Sequence, residues 1–125
     1  MPRFNFKAVV LGALVDVGGS LIAFSVLHAL FRHRWSGGHA PLIVQDTVGL
    51  GFSFLGGLTG GRLARQRELL HALATVLPCL LLGLAVMGKI PSSPLWQLLL
   101  SYVGEFPLAL LGGYCARRWN SSVGG

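Results

Sequence analysis

The sequence predicts an all-α, polytopic membrane protein in which four transmembrane helices form two parallel-repeat helical hairpins, a single domain over residues 1–125. Three observations predict it. The chain is 53% hydrophobic and only 11% charged, where a soluble domain carries roughly 25% charged residues. Its apolar residues fall into four runs, each long enough at ~1.5 Å per residue to cross a ~30 Å hydrocarbon core. Its cations flank those runs.

The first helix is expected at about 8–31. Thirteen of its residues are Leu, Ile, Val or Phe. At roughly −0.3 to −0.6 kcal/mol each they outweigh one central Asp at roughly +2.5 to +3.5. The run exceeds a signal-peptide core of roughly 7–15 residues, so it reads as an uncleaved helix. Trp35 and Gly37-Gly38 follow as an interfacial anchor and a turn, and Pro41 suits a first helical turn. The second helix, about 42–64, is so rich in glycine that packing must hold it. A short basic turn at 62–68 leads to the third, about 69–88, where Pro78 predicts a kink. Lys89–Pro94 forms the next loop, with Ser92 or Ser93 as an N-cap. The fourth helix, about 95–117, is expected to be interrupted by Pro107 and followed by a short polar tail.

Four crossings put both termini on one side. That side holds Arg3, Lys7, Arg62, Arg65, Arg67, Arg117 and Arg118, against Arg32, Arg34 and Lys89 on the other. The positive-inside rule therefore predicts cytoplasmic termini, with Trp35 and Trp96 at the outer interface and Trp119 at the inner one. The net charge of +6 belongs to these flanks and forms no basic stripe interleaved with aromatics, so no nucleic acid is expected as a partner. Cys79 and Cys115 lie in apolar runs with no CxxC pairing and read as small hydrophobes.

Helix 2 ends Gly60-Gly61-Arg62-Leu63-Ala64-Arg65 and helix 4 ends Gly112-Gly113-Tyr114-Cys115-Ala116-Arg117. Four of the six positions match. Duplication and convergence both account for that. Duplication makes the halves parallel hairpins related by an axis along the membrane normal. The run GGLTGGRLARQRELLHAL, followed by FPLALLGGYCARR, resembles a group of small, uncharacterised bacterial membrane proteins with four hydrophobic segments and Gly-Gly-x-x-Ala-Arg helix ends. The resemblance covers most of the chain. It implies a multi-pass protein of the bacterial inner membrane and carries over no activity, substrate or catalytic residue.

Residues four apart share a helix face, and every helix has one small or polar row. These are Ala8, Gly12, Asp16, Ser20; Gly56, Gly60, Ala64 beside Gly49, Ser53, Gly57, Gly61; His71, Thr75, Cys79, Gly83; and Gln97, Ser101, Glu105, Ala109, Gly113. Membrane helices meet through small residues and hydrogen bonds, so these rows should face one another. Gly12, Gly56, Gly57, Gly60, Gly61, Gly112 and Gly113 are the expected packing glycines. Asp16 and Glu105, with Ser101 one turn before the latter, form the candidate site. Two roles stand open for them: hydrogen bonds that join the bundle, or binding of a proton or cation.

No catalytic residue is expected. The serines lack a GxSxG context, and no Gly-rich stretch leads into Lys-Ser/Thr. His28 and His71 lie at opposite ends of the bundle, which excludes one heme between them. His33, His39 and Asp46 match no zinc spacing, so neither a metal nor a cofactor is expected. The leading expectation is a non-enzymatic accessory or structural bundle, packing in the lipid bilayer with a second copy or with other membrane subunits. The alternative is a small proton- or cation-coupled transporter or channel using Asp16 and Glu105.

Overall fold

The computed structural model describes residues 3–32, 40–87 and 95–124, by backbone alone at 40–42, 86–87 and several positions of 95–101. The expected Trp35 anchor, the Ser92 or Ser93 cap and His33 and His39 lie outside the described residues. All described regular structure is helical. Helix α1 spans Phe6–Phe31 and contains a π turn at Leu14–Gly18; α2 spans Ala40–Ala64, α3 Glu68–Met87 and α4 Leu95–Val123.

Asn5 starts α1: its side-chain oxygen accepts from the Ala8 amide at 3.2 Å, satisfying a donor that the helix cannot. The α2–α3 turn is only residues 65–67. It is closed by Arg65 and Arg67, both left-handed at φ 56° and 51°.

Two expectations about α4 need correction. It does not end near 117 but continues to Val123. Neighbours hold the extra turns: the Arg62 guanidinium lies 4.1 Å over the Trp119 ring, and Asn120 donates to the Arg62 carbonyl at 3.4 Å. Ser121 and Ser122 donate back to the carbonyls of Arg118 and Trp119. Nor does Pro107 interrupt the helix, because α4 is packed on α2 on both sides of it, at Gly104 against Leu50 and at Ala109 against Gly57. Pro78 likewise lies inside α3.

Helices α2 and α3 pack together, and α1 and α4 lie on opposite sides of that pair. Glycine sets each approach. A Cβ on Gly12 would strike Thr75 of α3 and come within 2.7 Å of the Gly56 carbonyl of α2, so α1 is wedged into one α2–α3 groove. A Cβ on Gly113 would come within 2.6 Å of Ala72 in α3, and Gly113 also faces Gly61 of α2, so α4 fills the other. Helices α2 and α4 run parallel, with Gly57 on Ala109 and Gly61 on Gly113, a constant offset of 52 positions. The hairpins are not related by a two-fold. Such a two-fold would make α1 approach α4 as α3 approaches α2, yet among the described residues only α2 and α3 meet.

Among the described residues, two stretches are long and apolar enough to cross a membrane. They are Phe6–Phe31, with mean hydropathy 2.1, and Glu68–Ala85, with 1.8. The interior is made of small and polar groups. Its largest fully buried side chains are His71, Val76, Thr75, Asp16 and Ser53, while leucines on all four helices are exposed, Leu21, Leu55, Leu81 and Leu111 among them.

Candidate functional site

The π turn places the first acid. An α-helix has 3.6 residues per turn, so a row of every fourth residue drifts about 40° per step and would roll off the interior within three steps. A wider π turn advances less per residue. With that turn at Leu14–Gly18, Ala8, Gly12, Asp16 and Ser20 all stay buried. Asp16 is fully buried. Its Oδ1 accepts from the Ser53 hydroxyl of α2 at 3.1 Å, and that hydroxyl also faces the Gly49 carbonyl at 3.3 Å. The absence of a side chain on Gly56 admits the acid, since a Cβ there would come within 2.8 Å of Asp16 Cβ.

The second acid is built on α4. Glu105 Oε1 accepts from the Cys79 thiol of α3 at 3.7 Å. The helix registers bring the two pairs to one level. The 52-position offset sets Glu105 beside the level of Ser53, and the Gly12–Thr75 contact, carried one turn along parallel helices, sets Cys79 at the level of Asp16. Glu105 and Asp16 are within electrostatic reach of each other, and Cys79 is within reach of both. Each hairpin thus contributes one acid and one neutral donor, in swapped order: acid on α1 and hydroxyl on α2, then thiol on α3 and acid on α4. One oxygen of each acid, Asp16 Oδ2 and Glu105 Oε2, is buried without a hydrogen-bond partner among the described residues. Such a group costs about 1–3 kcal/mol or more when unpaired, so these two atoms are the ones that a proton or a cation would engage.

The side chain of the third expected member, Ser101, lies outside the described residues. The packing glycines 12, 56, 57, 60, 61, 112 and 113 are all buried. Ser53 and Cys79 were legible as members of inward rows but not as partners of the acids. The 52-position repeat is the signal that sets Ser53 and Glu105 at one level, though their partners are Asp16 and Cys79.

A second polar assembly closes the end of the bundle where α2 meets α3. His71 is buried, with Nε2 accepting from the Asn5 amide at 2.9 Å. Its Nδ1 therefore carries the proton and donates to the Arg67 carbonyl at 2.9 Å. Phe4 stacks on the ring at 4.7 Å. Among the described residues no three His, Cys, Asp or Glu side chains gather as metal ligands.

The fold and its centre define a class: an all-helical bundle closed by glycine, with a paired-acid level inside and apolar side chains outside. No protein-family model, curated protein or solved structure matches the chain.

Proposed function

We propose that this chain is a multi-pass protein of the bacterial inner membrane, a non-enzymatic accessory or structural bundle of four membrane-spanning helices. The inverted distribution of polarity carries this reading. Water-soluble proteins bury Leu, Ile and Phe and expose polar groups. Here Asp16, Ser53, His71 and Thr75 are at most 1% exposed, while Leu14, Ile22, Leu30, Leu81 and Leu84 are at least 60% exposed. Only 22% of each apolar span is buried, unlike the core helix of a soluble domain. Helices α2 and α4 are lower in hydropathy through glycine rather than charge. Between Pro41 and Gly61 the only charged residue is Asp46, and between Leu95 and Ala116 it is Glu105. The resemblance to small bacterial membrane proteins agrees with this reading. Carbonate at high pH, which strips peripheral proteins, should leave the chain in the membrane pellet, and detergent should release it. Release by carbonate alone would overturn the proposal.

The two unpartnered acid oxygens at one level favour a second activity, coupling to a proton or a cation. In liposomes an imposed proton or potassium gradient should then drive a flux that Asp16→Asn and Glu105→Gln each abolish while helix content is kept. No flux above protein-free liposomes would leave the acids as hydrogen-bonding groups of the bundle.

A further inference from the structure

We propose that the cleft between the start of α3 and the end of α4 binds the headgroup phosphate of an anionic phospholipid, held by Arg67 and Arg117. The proposal rests on the membrane reading above. The cleft encloses about 550 Å³ and is lined by Arg67, Glu68, Leu69, Leu70 and Arg117.

Packing assembles it. Gly113 faces the backbone of Glu68 and Leu69, and Arg117 follows one helical turn later on the same face. Arg117 thereby lines the cleft beside the first turn of α3. Arg67 also lines the cleft, with its carbonyl fixed by two donors, the His71 amide at 3.1 Å and His71 Nδ1 at 2.9 Å. Neither guanidinium has a hydrogen-bond, ion-pair or ring partner among the described residues. The one carboxylate in the cleft, Glu68, is engaged by the Asn120 amide at 3.4 Å. Arg67 also holds a left-handed φ of 51°, which glycine would adopt without strain. Leu70, 47% exposed, supplies apolar surface beside the two charges.

Two unneutralised guanidiniums over an exposed leucine, at the end of an apolar helix, match a phosphodiester carrying acyl chains. Arg binds phosphate through a planar fork of donors, and basic pockets at the cytoplasmic ends of membrane helices recognise anionic headgroups.

The test uses the full chain in mild detergent, with native mass spectrometry counting retained lipid. Phosphatidylglycerol, phosphatidylcholine and inorganic phosphate are offered separately. Phosphatidylglycerol should be retained in preference to phosphatidylcholine. The Arg67→Gln/Arg117→Gln double variant should bind it about 30-fold more weakly, the loss of two arginines' attraction to an anionic surface. Arg118→Gln should change nothing, because Arg118 lies toward Tyr114 and away from the cleft. Arg67→Gly separates binding from folding: it should lose lipid while its unfolding midpoint in lipid-free detergent stays level or rises. Equal retention of both lipids, unchanged retention in the double variant, or equal binding of free phosphate would each overturn the site. A chain that carbonate alone strips from the membrane would instead overturn the membrane reading beneath it.

Discussion

At the scale of single residues, the space a glycine leaves open separates those that the bundle needs from those it merely tolerates. A Cβ on Gly57 would lie 2.8 Å from the Ala109 Cα and against the Ala109 carbonyl, and one on Gly112 would come within 2.7 Å of the Leu58 amide nitrogen. These obstacles are backbone, so no rotamer change relieves them. Gly51, on the same helix as Gly57, has nothing within 4 Å of its would-be Cβ. Gly57→Ala should therefore force α2 and α4 apart and lower stability by roughly 1–3 kcal/mol, the usual range for overpacking. Gly51→Ala should be neutral or gain up to roughly 0.5–1 kcal/mol from reduced backbone freedom. Unfolding in mixed detergent micelles at increasing dodecyl sulfate measures both. If the two changes lower stability equally, the α2–α4 approach is not set by glycine. The acids answer to the same logic. Ser53→Ala strands a second oxygen of buried Asp16, whereas Leu55→Ile touches only the exposed face.

At the scale of elements, His71 ties three helices at one end of the bundle. It accepts from the residue that caps α1, donates to the carbonyl that ends the α2–α3 turn, and belongs to α3 itself. His71→Phe keeps the ring and its stacking on Phe4 but removes the acceptor and the donor together. The Asn5 backbone amide then loses its acceptor, at about 1–3 kcal/mol if it stays buried, and the Arg67 carbonyl keeps only the backbone amide of residue 71. A drop of that order in the unfolding free energy is expected. Hydrogen exchange should quicken first at the start of α1 and in the 65–67 turn. Uniform loss of protection over all four helices would show that His71 is a core filler and not a local tie. The inward rows, Gly12 and Asp16 with Gly56 and Gly60, were legible because periodicity depends on local geometry alone. The π turn was not, since it arises from α1 fitting into a groove made by residues far along the chain. The length of α4 was missed for the same reason: Trp119 and Asn120 look like a polar tail until Arg62 is beside them. The pairing of Asp16 with Ser53, and of Glu105 with Cys79, depended on helix order around the bundle, on which the repeat alone was silent.

At the scale of the whole molecule, charge is the asymmetry that an apolar bundle can use to choose its orientation. The described cations gather where α1 begins, α2 ends, α3 begins and α4 ends, while Arg32 lies at the far end of α1. The parallel contacts of α1 with α3 and of α2 with α4 put Arg3, Lys7, Arg65, Arg67 and Arg117 at one end of the bundle. Lys and Arg near span ends stay on the cytoplasmic side during insertion, so that end should face the cytoplasm. Single cysteines at Arg32 and Ser122, in a background with Cys79 and Cys115 replaced by alanine, report the two ends. In intact cells an impermeant maleimide should label Arg32→Cys and leave Ser122→Cys unmodified until the membrane is opened. Substituting Arg32 also removes an outer cation and so reinforces the bias, which makes the outcome at Ser122 the decisive one. Protection at both positions would mean that Arg32→Cys is not reached from outside, and labelling at both in sealed cells would mean two orientations coexist. Either result contradicts a single insertion set by the basic end. Moving the charge tests the cause directly. With Arg65, Arg67, Arg117 and Arg118 changed to Gln and lysines added next to Arg32, labelling should invert, because the packed interior is indifferent to which end faces the cytoplasm.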